Sequence, residues 1–215
     1  MDQQKTIDLQ ESYDRVAEQY VERIFNELEH KPLDRALLDR FAKSVLGKKP
    51  ACDLGCGPGH VARYLHGRGA NVFGVDLSHR MVEQARRLNP GIEFKQGNML
   101  SLELDDESLG GIAAFYSIIH IPRDEVTRAL GELKRVLQPQ GILLLAFHIG
   151  DETIHLDEWW GEEVALDFTF FNTDEVAGYL RSAGFEVEEV VERPPYENVE
   201  HPSLRGYIFA RKPQD

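Results

Sequence analysis

The hydrophobic positions along this chain follow two periods. Five mainly apolar segments predict strands of a buried sheet, at 51–54, 71–76, 92–96, 109–116 and 142–148. Between most of them, apolar residues recur every three or four positions, as they do on one face of a helix. Strands that alternate with helices predict an α/β fold, in which a parallel sheet is covered by helices on both faces.

The two ends of the chain extend this pattern. Apolar and aromatic residues between 7 and 29 predict one amphipathic helix, and a second helix follows at 32–46. Near the other end, a capped helix begins at 173, and apolar residues at 185–192 and 204–211 predict two further strands. The strand-and-helix pattern therefore covers nearly the whole chain.

The turn after the first strand carries the clearest chemical signal, in the segment Asp53-Leu54-Gly55-Cys56-Gly57-Pro58-Gly59. Glycines permit backbone conformations with positive φ and let a ligand lie directly on the main chain. The free N–H groups at the start of the following helix point into the same space. The turn therefore predicts a binding site for a small molecule.

Acidic residues beside this turn distinguish between possible ligands. The dinucleotide pattern is G-x-G-x-x-G, but here His60 stands where the third glycine would be. Asp53 would lie poorly beside a pyrophosphate, although it can receive a cationic ligand. Asp76, at the end of the second strand, is placed to accept hydrogen bonds from both hydroxyl groups of a ribose. A ligand with a ribose, a positive charge and no phosphate fits best.

These residues, with segments 74–78, 96–99 and 133–141, resemble the class I S-adenosylmethionine-dependent methyltransferases over about residues 10–211. The resemblance implies a Rossmann-like, doubly wound sheet of seven strands, mostly parallel with an antiparallel last strand, and S-adenosyl-L-methionine as cofactor. The implied cofactor-binding residues are Tyr20, Asp53, Gly55, Cys56, Gly57, Asp76, Leu77, Asn98, Met99 and Ser117. The family usually has Asp at position 98, but the Asn98 carbonyl can still accept a hydrogen bond from the adenine amino group.

Two histidines are candidate bases, because ligands of parallel sheets lie at the carboxyl ends of the strands. His120 follows the fourth strand and His148 ends the fifth. An alcohol or phenol acceptor needs a base, and a neutral imidazole titrates near working pH. His120 is the first candidate and His148 the second. A thiolate or neutral amine would need neither, and a His120 that is only hydrogen-bonded within its loop is the alternative interpretation.

Two segments are expected to enclose the acceptor. The pattern Y-D-x-x-A-x-x-Y at 13–20 is similar to that of relatives whose N-terminal helix covers the cofactor as a lid, although ordinary packing also explains it. Residues 150–172 interrupt the strand-and-helix pattern, and alternating apolar positions from 164 to 170 predict a short strand across the site. Their aromatic residues suit a flat or apolar acceptor, a core plug or a subunit interface equally. The predicted substrate-binding residues are Tyr13, Tyr116, His120, Trp159 and Phe170.

Composition narrows the possible partners. The formal net charge of −13 disfavours nucleic acid, which needs clustered lysine and arginine. No apolar run is long enough to span a bilayer and the polar start lacks a signal-peptide core, so a soluble, cytoplasmic protein is expected. Cys52 and Cys56 have no second pair, and the acids at 103–107 are typical of a solvated loop. No metal site is therefore predicted.

The sequence predicts a single domain over 1–215, with the N-terminal lid at 1–47, a cofactor-binding core at 48–149, a substrate cap at 150–172 and a C-terminal part at 173–215. We expect an enzyme that transfers a methyl group to O, N or S of a small aromatic or apolar molecule by in-line displacement, which depends mostly on alignment. A protein side-chain methyltransferase and a non-catalytic S-adenosylmethionine-binding protein are the alternatives, and a nicotinamide enzyme is a distant third. A homodimer is left open.

Overall fold

The computed structural model describes residues 2–214, in which seven α-helices and nine β-strands form. The helices are α1 (Gln3–Arg15), α2 (Ala17–Ile24), α3 (Pro32–Val45), α4 (His60–Gly67), α5 (His79–Leu88), α6 (Arg123–Val136) and α7 (Thr173–Ser182). The strands are β1 (Ala51–Leu54), β2 (Val72–Asp76), β3 (Phe94–Gln96), β4 (Leu109–Phe115), β5 (Leu137–Ile149), β6 (Thr153–Trp159), β7 (Glu162–Thr169), β8 (Glu186–Arg193) and β9 (Leu204–Arg211).

Seven strands form one sheet in the order β3-β2-β1-β4-β5-β9-β8. The first five are parallel to one another, whereas β9 is antiparallel to both of its neighbours. The predicted doubly wound sheet with an antiparallel last strand is therefore confirmed, and that strand lies second from the edge. The strand order reverses between β1 and β4, which is where sheets of this kind open a crevice for ligands.

The core lies on both faces of the sheet. Strand β4 is buried along its whole length, which explains its unbroken apolar sequence. One face packs against α6 and α7, and the other packs against α3, α4 and α5. Helix α3 approaches so closely that a Cβ at Gly111 would lie 2.6 Å from a methyl group of Val45. The rigid sheet therefore fixes the positions of the loops at its carboxyl edge.

The N-terminal segment differs from the single helix predicted at 7–29. It divides at Val16 into α1 and α2, and a 3₁₀ turn follows at Glu27–His30. Val16 is fully buried against Val164 and Leu166 of β7, and the backbone N–H of Ala165 donates to Ser12 Oγ at 2.9 Å. These contacts with β7 come from residues far away in the sequence, so the local periodicity could not indicate the break.

Residues 153–169 form a hairpin rather than the single predicted strand. Strands β6 and β7 pair in an antiparallel sheet of two strands. The two residues between them, Trp160 and Gly161, have φ of 55° and 89°, which is the backbone of a two-residue hairpin turn. The alternation from 164 onward belongs to β7, whereas β6 is mostly exposed and carries no clear apolar period.

Candidate active site

A cleft of about 730 Å³ opens at the carboxyl ends of β1, β2 and β4. It contains eight of the ten residues that the sequence predicts to bind the cofactor: Tyr20, Gly55, Gly57, Asp76, Leu77, Asn98, Met99 and Ser117. Residues from four separate loops thus converge, because parallel strands end at the same edge of the sheet.

The glycine turn forms the floor of this cleft. Gly55 has φ of +70°, and a Cβ there would lie 2.4 Å from the Cβ of Ser117. Gly57 has φ of +50°, and its N–H donates to Asp76 Oδ2 at 2.7 Å. Gly55 requires glycine because of the close approach, and the left-handed backbone at Gly57 favours it. The turn therefore exposes main chain directly to the cleft.

Asp76 is held in place by main-chain donors. Its Oδ1 accepts from Ser78 N at 2.8 Å and its Oδ2 accepts from Gly57 N at 2.7 Å. Burial raises the pKa of this carboxyl to about 6, although the two N–H groups act in the opposite direction. Each oxygen has a further lone pair, so the carboxylate can accept from two neighbouring hydroxyl groups.

Two other side chains in the cleft have unused hydrogen-bonding capacity. Ser117 Oγ is buried and has no hydrogen-bond partner among residues 2–214. The Asn98 carbonyl, predicted to meet an adenine amino group, already accepts from Leu100 N at 2.9 Å. The Asn98 amide nitrogen donates no hydrogen bond within the described chain, so it is the freer group for a ligand in the cleft.

Asp53 and Cys56 do not line the cleft, contrary to the sequence prediction. Asp53 is buried, and its Oδ2 accepts from Ala62 N at 2.8 Å in the first turn of α4. Burial raises its pKa to about 7. The thiol of Cys56 points toward the sheet, where a Cβ at Gly74 would lie 2.8 Å from its Sγ. Both side chains therefore support the turn from behind.

A second cavity of about 1310 Å³ adjoins the cleft. Three residues line both spaces, and all three are tyrosines: Tyr13, Tyr20 and Tyr116. Trp159 and Phe170 line the second cavity, as the sequence predicts for a substrate site. The Trp159 ring lies 6.0 Å from that of Tyr13 and 5.9 Å from that of Tyr20. We call Tyr13, Tyr20 and Tyr116 the tyrosine wall, and we call the second space the aromatic cavity.

Tyr116 holds an unusual backbone conformation in this wall. Its φ is +52°, a value that bulky side chains rarely adopt. Its N–H donates to Ala146 O at 2.8 Å, and its hydroxyl lies 3.3 Å from that of Tyr207. The sheet therefore holds the Tyr116 ring between the cleft and the aromatic cavity.

His120 lines the cleft but not the aromatic cavity. Its Nδ1 lies 2.9 Å from the main-chain oxygen of Asp167, which can only accept, so this nitrogen carries the proton. Its Nε2 therefore accepts from the hydroxyl of Tyr13 at 2.7 Å. Burial lowers the pKa of His120 to about 4, which keeps the ring neutral near pH 7. The Tyr13 hydroxyl lies between this imidazole and the aromatic cavity.

His148 lines the aromatic cavity and does not line the cleft. Its ring stacks on Phe170 at 4.9 Å, and its Nδ1 lies 2.9 Å from Ser203 Oγ. Burial, followed by the charge of Arg205, lowers its pKa to about 3. The prediction of His148 as a catalytic base is therefore not supported, since the ring does not line the cleft and its low pKa makes it a weak base.

No pattern in the sequence indicates the charged residues of the aromatic cavity. Lys31 and Arg205 line it, as do Glu27, Glu200 and His201. They come from the segment after α2, from the β8–β9 connection and from β9 itself, and no spacing in the sequence associates them. Among residues 2–214, no group of three His, Cys, Asp or Glu side chains is placed to hold a metal ion. No helix of the described chain is both long and apolar enough to cross a membrane.

The comparisons with known proteins agree with this geometry. Residues 51–141 match the model of a methyltransferase domain family. The chain is 33% identical over 109 residues to the malonyl-[acyl-carrier protein] O-methyltransferase of Pectobacterium atrosepticum, covering 50% of this chain and 42% of that protein. The protein of the same name from Halorhodospira halophila is 30% identical over 182 residues, covering 81% of this chain and 60% of the relative.

Solved structures share the fold. A crystal structure of a methyltransferase from Methanosarcina mazei superimposes with a TM-score of 0.72 at 20% identity, covering 80% of this chain and 96% of that one. The glycine turn, the sheet order and the family match together define a nucleoside-binding α/β protein. The family match, the curated relatives and the solved structures support a class I S-adenosylmethionine-dependent methyltransferase, whose cofactor is S-adenosyl-L-methionine. The chain spans about half the length of the curated relatives that it matches.

Proposed function

We propose that this protein transfers a methyl group from S-adenosylmethionine, bound in the cleft, to a small molecule held in the aromatic cavity. The observation that carries the proposal is the tyrosine wall, which borders both spaces. Cofactor and acceptor would then meet beside these three aromatic rings. The relatives named as O-methyltransferases favour oxygen as the acceptor atom, with nitrogen and sulfur as alternatives.

The groups in the cleft fit the cofactor. Asp76 can accept from both ribose hydroxyls, and the main chain at Gly55 and Gly57 leaves room for the amino-acid part. Ser117 Oγ and the Asn98 amide supply polar contacts that the protein itself leaves unused. When bound, the cofactor supplies an electrophilic methyl group on a sulfonium. The faces of Tyr13 and Tyr20 are suited to a positive charge beside them.

The protein contributes alignment and the exclusion of water. Helix α1 covers the cleft and is held there, because Asp14 Oδ1 accepts from Ser78 Oγ at 2.6 Å and from Arg80 N at 2.9 Å. The hairpin β6–β7 closes the aromatic cavity from the other side, through Trp159 and Phe168. Holding two reactants in line can supply ~7–11 kcal/mol of the barrier. These contacts support the role of lid and cap for the two segments.

A strong base is not part of this proposal. The Nε2 of His120 already accepts from the Tyr13 hydroxyl, and a pKa of about 4 makes that imidazole a weak base. Acceptors that attack without losing a proton first, such as a carboxylate, a thiolate or a neutral amine, therefore fit the site best.

Calorimetry tests the cofactor. S-adenosylmethionine and its demethylated product should bind, whereas NAD should not. A screen of small acceptors beside a peptide pool then tests the acceptor, with methyl transfer from labelled S-adenosylmethionine as readout. Transfer only to peptides would favour a protein substrate, and cofactor binding without any transfer would favour a non-catalytic protein.

The aromatic cavity is tested by Trp159→Ala. Trp159 lines that cavity but not the cleft, so the variant should raise the KM of the acceptor by about 10- to 100-fold. The Kd of the cofactor should not change. Val190→Ala is the control, because Val190 is exposed on β8 and lines neither space. An unchanged KM in Trp159→Ala would contradict the assignment of the cavity.

A further inference from the structure

The charged residues of the aromatic cavity have an excess of positive charge. Three cations line it, Arg23, Lys31 and Arg205, against two carboxylates, Glu27 and Glu200. This balance is opposite to that of the whole chain, whose formal net charge is −13. Lys31 and Arg205 are buried, whereas Arg23 is exposed and lies over the Trp160 ring at 5.1 Å.

The two carboxylates are already occupied by other groups. Glu200 accepts from both terminal nitrogens of Arg193, at 2.6 and 2.8 Å, and from Tyr196 N at 2.9 Å. Although burial raises the pKa of Glu200, its bonds with Arg193 hold it at about 2. Glu27 pairs with Lys31 at 2.7 Å and with His60 at 3.3 Å. Neither acid is therefore free to receive a cationic ligand.

Arg205 has fewer partners than its charge requires. Its terminal nitrogens donate to uncharged oxygens, those of Ser203 at 2.5 Å and of His201 at 2.9 Å. Its Nε has no hydrogen-bond partner among residues 2–214 and lies 3.8 Å from Glu200 Oε1. A buried guanidinium in this condition is costly unless another acceptor reaches it.

Lys31 lies close to Arg205, because Lys31 Nζ is 3.1 Å and Arg205 Nε is 3.8 Å from the same oxygen, Glu200 Oε1. The Nζ of Lys31 is 5.4 Å from the centroid of the Tyr116 ring, and the guanidinium carbon of Arg205 is 5.7 Å from it. His148 stands beside them, and after burial the main causes of its lowered pKa are Arg205, His201 and Lys31. This end of the cavity therefore contains two buried cations, while the aromatic residues Phe170 and Trp159 line its body.

We propose that Arg205 and Lys31 form a subsite for an anionic group of the size of a carboxylate, carried by an aromatic or apolar acceptor. The inference rests on the proposed function, because it names the class of molecule that the aromatic cavity receives. The anion accepts hydrogen bonds from Arg205 and Lys31, and its apolar body lies against Phe170 and Trp159. An uncharged molecule of the same shape leaves the Arg205 guanidinium without a charged acceptor, whereas Lys31 still pairs with Glu27 and Glu200.

Matched pairs of small molecules test the subsite. Phenylacetate and indole-3-acetate are each compared with the corresponding primary amide by calorimetry, on the full chain saturated with S-adenosylhomocysteine. The acids should bind at least about tenfold more tightly than the amides, because a charge-assisted hydrogen bond is lost in the amide. Equal affinity, a preference for the amides or no binding by any acid would overturn the proposal.

Two variants test whether Arg205 causes the preference for acids over amides. Arg205→Gln should abolish the difference between acid and amide and leave the Kd of S-adenosylhomocysteine unchanged. Arg87→Gln, which removes an exposed charge outside both cavities, should preserve the difference. Retention of the preference in Arg205→Gln would refute the assignment. Should that variant not fold, the wild-type pairs still decide, and failure of S-adenosylhomocysteine to bind the wild-type protein would instead refute the proposed function.

Discussion

The cleft and the aromatic cavity are adjacent, but they are built in different ways. The cleft is formed by main chain and short loops at the ends of consecutive strands, mostly within residues 54–121. The aromatic cavity is formed by side chains from segments far apart, including α2, the hairpin β6–β7 and the β8–β9 connection. The first is thus a property of the fold, and the second is a property of this particular chain.

The charged groups that line the two spaces also differ. The cleft contains one carboxylate, Asp76, with neutral polar groups around it. The aromatic cavity contains buried cations whose nearest carboxylates are shared with other groups. A cationic cofactor and an anionic acceptor would therefore each meet its complementary surface, with the tyrosine wall bordering both. Predictions that affect one space and not the other test this division.

The largest effect is expected from Gly55→Ala. The new Cβ would overlap Ser117, and the backbone at φ of +70° is strained for alanine. The free energy of unfolding should fall by about 2–4 kcal/mol, measured by chemical denaturation. Cofactor affinity should fall as well, because the turn must shift.

Two variants control this result. Gly178→Ala lies in α7 with nothing within 4 Å of the new Cβ, and it should stabilise the protein by about 0.5–1 kcal/mol. Adding Ser117→Gly to Gly55→Ala removes the overlapping atom and should restore part of the stability. A Gly55→Ala variant as stable as the wild type would contradict the close approach in the cleft.

The sequence predicted the cleft well because its signals are local. A strand, a glycine turn and a helix are adjacent in the chain, and the acid that ends the second strand is brought beside them by parallel pairing. The sequence cannot tell which of the two acids, Asp53 or Asp76, points into the cleft, and only Asp76 lines it. In the structure Asp53 bonds to Ala62 and stays behind the turn.

The aromatic cavity was predictable only in part. Trp159 and Phe170 were predicted as substrate-binding residues because an aromatic segment interrupts the strand-and-helix pattern, and both line the aromatic cavity. The break at Val16 and the position of Arg205 depend on contacts between distant segments, for which a single sequence carries no periodic signal. His120 and His148 both follow strand ends, but only their burial and partners show how differently they are placed.

An intermediate effect on cofactor affinity is expected when the Asp76 carboxyl is protonated, so this effect depends on pH. The carboxyl must be ionised to accept from Gly57 N, from Ser78 N and from ribose hydroxyls, and its pKa in the free protein is about 6. Cofactor affinity should therefore be constant well above pH 6 and should fall as the pH drops below it, approaching tenfold per pH unit.

Two substitutions distinguish the role of Asp76 from that of Asp53. Asp76→Asn should weaken cofactor binding by about 10- to 100-fold at pH 8 and remove the dependence on pH near 6. Asp53→Asn should reduce stability but retain that dependence, because Asp53 does not line the cleft. A pH profile that persists in Asp76→Asn and disappears in Asp53→Asn would reverse the two roles.

The smallest effect is expected where the two spaces meet, in Tyr13→Phe. The variant removes the hydrogen bond to His120 Nε2 and should lower the free energy of unfolding by about 1 kcal/mol. The pKa of His120 is about 4, so kcat should fall by less than about tenfold and should not acquire an ionisation near pH 6.5. The cofactor Kd should stay within about twofold, because Asp76 and the glycine turn are untouched. A loss of about 10²-fold or more in kcat, with a wild-type profile that titrates near neutral pH, would instead identify Tyr13 and His120 as a proton relay for a neutral acceptor.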